Sequence, residues 1–357
     1  MFYMPTNIQW GVKQHAPLLK TFGQRALIVT GKSSAQNGAL SDMLEALDSQ
    51  NMVVSVFDQT EENPSVENVL QATQLGLQFD AHMIIGIGGG SPLDAAKAVS
   101  LMVANPQLPA ASMFTPEKKQ HLPVIAIPTT AGTGSEVTPY AVITHHGQQT
   151  KITIPQALFP ALALLDPQYM QHLPENITYS TTLDALSHLI ESYLSARANP
   201  LSDEINEGGF RLFNQCQEAL LHQDFTPELR KNLLLMSTMA GMAIAQTGTS
   251  LPHGLGYALT YHKQIPHGFA NALVMQSYLR LCRNQSKVER MLTLCGFSHL
   301  DQLQQFIQQI IPLSLHLSAE EIEHFSQAMW NNKKKLACHP DPLTIEDIRA
   351  IYRNSIS

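Results

Sequence analysis

Between residues 26 and 127 the chain alternates short, uninterrupted apolar runs with helical segments, and few folds accommodate that order. The runs are residues 26–30 (ALIVT), Val53–Phe57, residues 83–87 (MIIGI) and residues 124–127 (VIAI). A strand that is apolar at every position is buried on both faces. That requires helices above and below the sheet, and those helices are the crossovers between parallel strands. Helical patterns over 42–49 and 65–79, the second opened by Pro64 and Ser65, lie between the runs. The first part of the chain is therefore expected to be an α/β domain around a parallel sheet.

The pattern changes near residue 180. Leu183, Leu186, Ile190 and Tyr193 recur at helical spacing, as do Leu233, Met236, Met239 and Met242, with few β-branched runs between them. The second part is expected to be all helix, with this stripe as core. The resulting division is 1–175 for the α/β domain and 176–357 for the helical domain, with joints near Asp166-Pro167 and Leu173-Pro174. Two domains suit 357 residues, and 44% hydrophobic against 14% charged residues supplies enough apolar material for both cores. The net charge of −7 disfavours a nucleic-acid partner. The isolated run Lys333-Lys334-Lys335 reads as a solvated helix face. Cys216, Cys282, Cys295 and Cys338 form no CxxC pair, which fits a reducing cytoplasmic compartment rather than a disulfide framework. No apolar run approaches the ~18–20 residues of a membrane span, and the N-terminus lacks a secretory pattern, so no membrane association is expected.

Two turns carry ligand chemistry. Gly88-Gly89-Gly90-Ser91-Pro92-Leu93-Asp94 follows an apolar strand and opens a helix. Ser91 reads as its N-cap, Pro92 as its first residue and Asp94 as the partner in a capping box. The amides of such a helix start attract phosphate. The glycines and caps alone fit an ordinary tight turn equally well. The loop Thr129-Thr130-Ala131-Gly132-Thr133-Gly134-Ser135-Glu136-Val137-Thr138 follows another strand and concentrates small and hydroxyl side chains, as a dinucleotide site requires. Gly89 and Thr138 join the candidate cofactor contacts on this ground. Neither stretch is a Rossmann or Walker fingerprint.

Asp184 and His188 lie four residues apart on one helix, so their side chains project together. His253 and His267 each stand between a proline and a glycine. Three imidazoles and a carboxylate suit Fe²⁺ or Zn²⁺, although spacing alone does not bring distant residues together.

These motifs, in this order, resemble the iron-containing (group III) alcohol dehydrogenases. The resemblance runs from Phe2-Tyr3-Met4-Pro5-Thr6 through Asn63-Pro64, the two turns, Asp184-Ala-Leu-Ser-His188 and His253-Gly254 to Pro266-His-Gly-Phe-Ala-Asn271. It implies a dinucleotide-binding α/β domain followed by a helical domain, and hydride transfer between NAD(P) and a small primary alcohol or aldehyde. It implies that Asp184, His188, His253 and His267 hold one divalent metal, Fe²⁺ with Zn²⁺ as the alternative. It sets the cofactor against Asn63, Gly90, Ser91, Asp94, Thr129, Thr130, Thr133 and Lys151. It also implies a homodimer, with residues 2–10 as an aromatic segment able to pair at an edge.

The sequence departs from the family in three places. Many relatives carry a second histidine four residues after the third ligand, and here that position is Tyr257. Tyr257, His262, or the ribose with water then remain as routes for the proton. Relatives often read Gly-Met-Asp where this chain has Thr182-Leu183-Asp184. In NAD-preferring relatives an acid follows a Val-Thr pair like Val29-Thr30, where it repels a 2′-phosphate. Here Gly31 stands there, followed by Lys32, Ser33 and Ser34, which points to NADP. The alternatives are a glycerol dehydrogenase-like polyol dehydrogenase, a dehydroquinate synthase relative, and a catalytically inactive nucleotide-binding protein. The hydroxyl-rich loop argues against the first two, and the intact ligand set against a maleylacetate reductase.

Overall fold

The computed structural model describes residues 2–148 and 150–355; residues 1, 149, 356 and 357 lie outside the described residues. The chain forms two compact units. One comprises Met4–Thr130 and Gly134–His172, the other Met1–Tyr3, Ala131–Thr133 and Leu173–Ser357. The second loop is thus divided, with Ala131–Thr133 packing in the helical unit, rather than falling wholly within one domain ending at 175.

The α/β unit is built on six parallel strands. They are β1 (Asn7–Trp10), β2 (Arg25–Thr30), β3 (Val53–Phe57), β4 (Met83–Gly88), β5 (Val124–Pro128) and β8 (Leu162–Leu165). Their spatial order is β1-β8-β5-β4-β2-β3. Alternate residues of each central strand face opposite cores. Leu27 and Val29 join Val69, Ala72, Val99 and Val103 on one side of the sheet. Ala26 and Ile28 join Met43, Leu47 and Leu19 on the other. This two-sided burial is why the strands are apolar throughout. Each fully buried Leu or Ile adds roughly 1.5–3 kcal/mol of transfer free energy. A hairpin of β6 (Val142–His145) and β7 (Thr150–Thr153) stands apart as an antiparallel pair.

Of the aromatic N-terminal segment only Asn7–Trp10 forms a strand, and within the chain's own sheet: β1 pairs with β8, Asn7 opposite Leu162. As the terminal strand it keeps its other edge.

Chain direction places β5, β4 and β2 side by side, so their carboxyl ends share one edge of the sheet. Gly31, Gly89–Gly90 and Thr129–Thr130 follow those ends directly. In parallel sheets this is the edge at which ligands bind.

From Glu175 to Ser355 every regular element is a helix. The Glu175–Tyr193 helix is central to this unit, buried almost continuously from Thr178 to Tyr193. Helices Pro200–Leu221, Pro227–Thr247 and His267–Leu273 pack around it. Such burial explains why its polar residues are not distributed as on a surface helix.

Candidate functional site

In the α/β unit the first turn is capped differently from the sequence reading. The helix runs Gly90–Val103 with Gly89 as its N-cap, and no side chain caps it. Ser91 Oγ instead accepts a hydrogen bond from the Asn63 amide at 3.0 Å. Asn63 adopts a left-handed backbone (φ 58°), which asparagine tolerates better than most residues. Its side-chain oxygen accepts from Lys151 Nζ at 2.8 Å, and its carbonyl accepts from Thr144 Oγ1 at 2.9 Å. The structure therefore gathers Asn63, Ser91 and Lys151 beside the helix start.

Asp94 is likewise not a capping partner. It accepts from Ser135 Oγ at 2.6 Å and from the Val142 amide at 2.9 Å, tying the first turn to the second loop and the hairpin. Lys97, fully buried, donates to Ser135 Oγ and to the Tyr140 carbonyl, each at 2.7 Å. Burial pulls its ammonium down to about 8, against the opposing charges of Asp94 and Glu136. The Thr129 amide donates to the Gly88 carbonyl at 2.9 Å, which joins the two turns at their bases. Thr129 and Thr138 are buried, whereas Gly89, Gly90, Ser91 and Thr130 are partly accessible.

At the end of β2, Lys32 and Ser33 are exposed and Gly31 is partly exposed. Ser34 is not available to a ligand: its buried hydroxyl accepts from Thr30 Oγ1 at 2.6 Å and donates to the Gly31 carbonyl at 3.0 Å.

The helical unit brings four of the sequence candidates together. His188 Nε2, His253 Nε2 and His267 Nε2 lie 4.0, 3.3 and 3.8 Å from one oxygen, Asp184 Oδ1. Asp184, His188 and His253 present ligand atoms within 4.8 Å of one another. One close approach makes this convergence possible. A side-chain carbon on Gly268 would overlap the Ser180 carbonyl, so only glycine lets the His267 helix meet the Asp184 helix there.

Two neighbours without a role in the sequence reading orient the cluster. Glu191 is fully buried, accepts the His253 amide at 2.9 Å, and pairs through Oε2 with His253 Nδ1. Asn271, also fully buried, donates through Nδ2 to Asp184 Oδ1 at 3.1 Å and lies 3.3 Å from His267 Nε2. Both were detectable by spacing. Glu191 is seven residues after Asp184 on the same helix face, and Asn271 is four after His267.

Burial opposes the charge on Asp184, yet the adjoining imidazoles outweigh it and hold the carboxyl below its usual range. Burial brings the His188 imidazole down to about 4, so its ring is neutral at neutral pH. Burial also works against the Glu191 carboxylate, but His253 overcomes it and the net shift is downward. An ionised Glu191 only accepts, so a proton sits on His253 Nδ1, while Nε2 faces Asp184 at 3.3 Å; burial lowers this imidazole, but Glu191 and Asp184 outweigh it and hold it above its usual range. That Nε2 is buried without a hydrogen-bond partner among the described residues. A buried ring nitrogen left in that state beside a carboxylate suits a metal ion, and a donor set of three imidazoles and one carboxylate fits it chemically.

Tyr257 stacks on His267 with ring centroids 5.3 Å apart. His262 lies elsewhere, stacked on Phe325 at 5.0 Å and edge-on to His324. Thr182 is fully buried, so its replacement of a smaller residue is absorbed in the core. The lysine run is not uniform. Lys333 and Lys334 are exposed, but Lys335 turns inward and bonds to Thr249 Oγ1.

Comparison with known proteins agrees with this geometry. Residues 5–167 match the family described as "Iron-containing alcohol dehydrogenase", and residues 178–356 match "Fe-containing alcohol dehydrogenase family, C-terminal". The chain is 32% identical over 280 residues to alcohol dehydrogenase 4 of Saccharomyces cerevisiae, covering 77% of this chain and 73% of the relative. It is 29% identical to an NADPH-dependent butanol dehydrogenase of Clostridium saccharobutylicum, covering 88% and 83%. The crystal structure of an iron-containing alcohol dehydrogenase from Thermotoga maritima superimposes with a TM-score of 0.92 at 37% identity, covering 100% of this chain and 99% of that one.

Proposed function

The chain belongs to the iron-containing alcohol dehydrogenase family, and on that premise we propose that it reduces short aldehydes with NADPH at one divalent metal held by Asp184, His188, His253 and His267. It is a metal-dependent oxidoreductase acting between NAD(P) and an alcohol. The observation that carries the four-residue assignment is the approach of three imidazole Nε2 atoms to within 4.0 Å of a single Asp184 oxygen.

When bound, the metal supplies a Lewis acid for the carbonyl oxygen and the cofactor supplies a hydride. The reduction adds that hydride to the carbonyl carbon and one proton to the oxygen. The protein's part is positional. Asp184 contributes the only anionic donor, and Asn271 Nδ2 fixes the oxygen on which the imidazoles converge. Glu191 holds His253 in the tautomer that offers Nε2. Tyr257, through its ring contact with His267, is better placed than His262 to hand on the proton. On the cofactor side, the amides of the Gly90 helix start meet phosphate, with Asn63, Ser91, Thr130 and Lys151 around it. Asp94 through its carboxylate and Thr129 through its backbone amide keep the two turns together.

Iron is the expected ion. The preference for NADPH rests on Gly31, which leaves no acid to repel a 2′-phosphate, and on the exposed Lys32 and Ser33. Four free, buried cysteines favour a cytoplasmic protein. The free edge of β1, whose last residue Trp10 is exposed, favours a homodimer.

The test is kcat/KM over a panel of straight-chain aldehydes with NADPH and with NADH, using protein reloaded with Fe²⁺. Turnover of propanal and butanal with NADPH favoured is expected. Absence of turnover with every aldehyde, despite one bound ion per chain, would overturn the reading.

A further inference from the structure

His267 differs from the other three candidate ligands in how it is held. Its side chain is 31% exposed, against 6%, 7% and 3% for Asp184, His188 and His253. Those three gather their ligand atoms within 4.8 Å of one another, and among the described residues His267 is not in that set. It is also the first residue of the His267–Leu273 helix, so no earlier turn of that helix packs against its ring. Core packing fixes the buried rings. For His267, local contacts have to set where Nε2 points.

Those contacts come from the Leu251–Lys263 helix. His253, Tyr257 and Thr260 follow one another there at intervals of four and three, which puts them on one face. Tyr257 lies flat on the His267 ring, with centroids 5.3 Å and planes 10° apart. Thr260 Oγ1 is 3.4 Å from His267 Nδ1. Stacking fixes the tilt of the ring but leaves it free to turn in its own plane, and a hydrogen bond at Nδ1 stops that turn. It also selects the tautomer. Nε2 is the nitrogen aimed at Asp184 Oδ1, 3.8 Å away, so a metal on Nε2 leaves the ring proton on Nδ1, which donates to the Thr260 oxygen. Thr260 thus stands to His267 as Glu191 stands to His253, with a neutral acceptor in place of a carboxylate.

We propose that Thr260 is the positioning residue for His267: its hydroxyl keeps this outermost ligand turned toward the metal, and without it the fourth ligand leaves the ion more readily. The proposal rests on the metal-centre reading above and adds to it the group that governs the fourth ligand.

The test is a titration of the metal-free protein with Co²⁺ against a competing chelator, since the visible absorption of Co²⁺ follows the number and geometry of its ligands. Thr260→Val keeps the shape of the side chain and removes the hydroxyl. It is expected to bind Co²⁺ about tenfold more weakly than the wild type, with an altered visible spectrum. Thr260→Ser should bring both back close to the wild type. In a His267→Ala background Thr260→Val should change nothing further, because a hydroxyl that acts through His267 has nothing left to hold. Wild-type affinity and spectrum in Thr260→Val overturn the proposal. So does an equal loss of affinity with His267 present and absent, or a Thr260→Ser variant as weak as Thr260→Val, either of which would make the residue a support for the helix alone. A wild type that binds no Co²⁺ overturns the metal-centre reading and the proposal with it, whereas one bound ion whose affinity is indifferent to Thr260 overturns the proposal only.

Discussion

Glu191 holds His253 by two hydrogen bonds, one to the backbone amide and one to the ring. Both fall on a group that is itself a candidate ligand, so the carboxylate sets where the ring sits and which nitrogen faces Asp184. Outer groups of this kind typically contribute ten- to a hundredfold to metal affinity. Glu191→Gln is therefore expected to bind Fe²⁺ about tenfold or more weakly in a competition titration against a chelator. Affinity equal to wild type would remove Glu191 from this role. A second residue-scale prediction concerns Gly31. The nearest atom to a side-chain carbon added there is the Thr60 carbonyl at 3.4 Å, an ordinary contact, so the backbone accepts a Cβ. Gly31→Asp should move kcat/KM toward NADH by at least about tenfold, corresponding to about 1.4 kcal/mol of differential binding. A wild type that already favours NADH, unchanged by the aspartate, would contradict the assignment.

At the scale of elements, the metal cluster depends on how closely the His267–Leu273 helix approaches the Glu175–Tyr193 helix. Gly268→Ala forces a carbon into the Ser180 carbonyl, and the two helices must separate. Overpacking of this kind costs roughly 1–3 kcal/mol, and the displaced His267 should lose metal as well. The expected result is a lower Tm together with reduced Fe²⁺ content; unchanged values for both would show that the contact is dispensable. The sequence was informative about these elements to different degrees. Continuous apolar runs announced the central strands because two cores enclose them, and the helical period announced the second unit. The caps misled. Ser91 and Asp94 have the chemistry of a capping box, but Asn63, Ser135 and Val142 claim their side chains from distant positions. Lys335 misled for the same reason, since Gly254, Thr249 and Tyr257 lie about eighty residues away in sequence and nothing local separates it from Lys334. Glu191 and Asn271 follow the same face-sharing spacing that marked Asp184 and His188, and they went unassigned because spacing alone does not say what they touch.

At the scale of the whole molecule, β1 ends the six-stranded sheet and keeps one edge of backbone donors and acceptors. Trp10, its last residue, is among the exposed large apolar side chains of the described residues. Such an edge pairs readily with a second copy. Light scattering at micromolar concentration should give the mass of two chains, and a proline at Ile8 should shift it toward one; a monomer in the wild type would contradict the dimer. The central claim is that four residues of the helical unit hold one metal on which turnover depends. It is tested most directly by stripping the protein with a chelator and following NADPH-linked butanal reduction as Fe²⁺ is returned, with bound metal measured at each point. Activity should be absent in the stripped protein, rise in proportion to bound ion, and reach its plateau at one ion per chain. His253→Ala and His267→Ala should bind less and stay inactive. Full activity without metal, or full occupancy and activity in both alanine variants, would contradict the account.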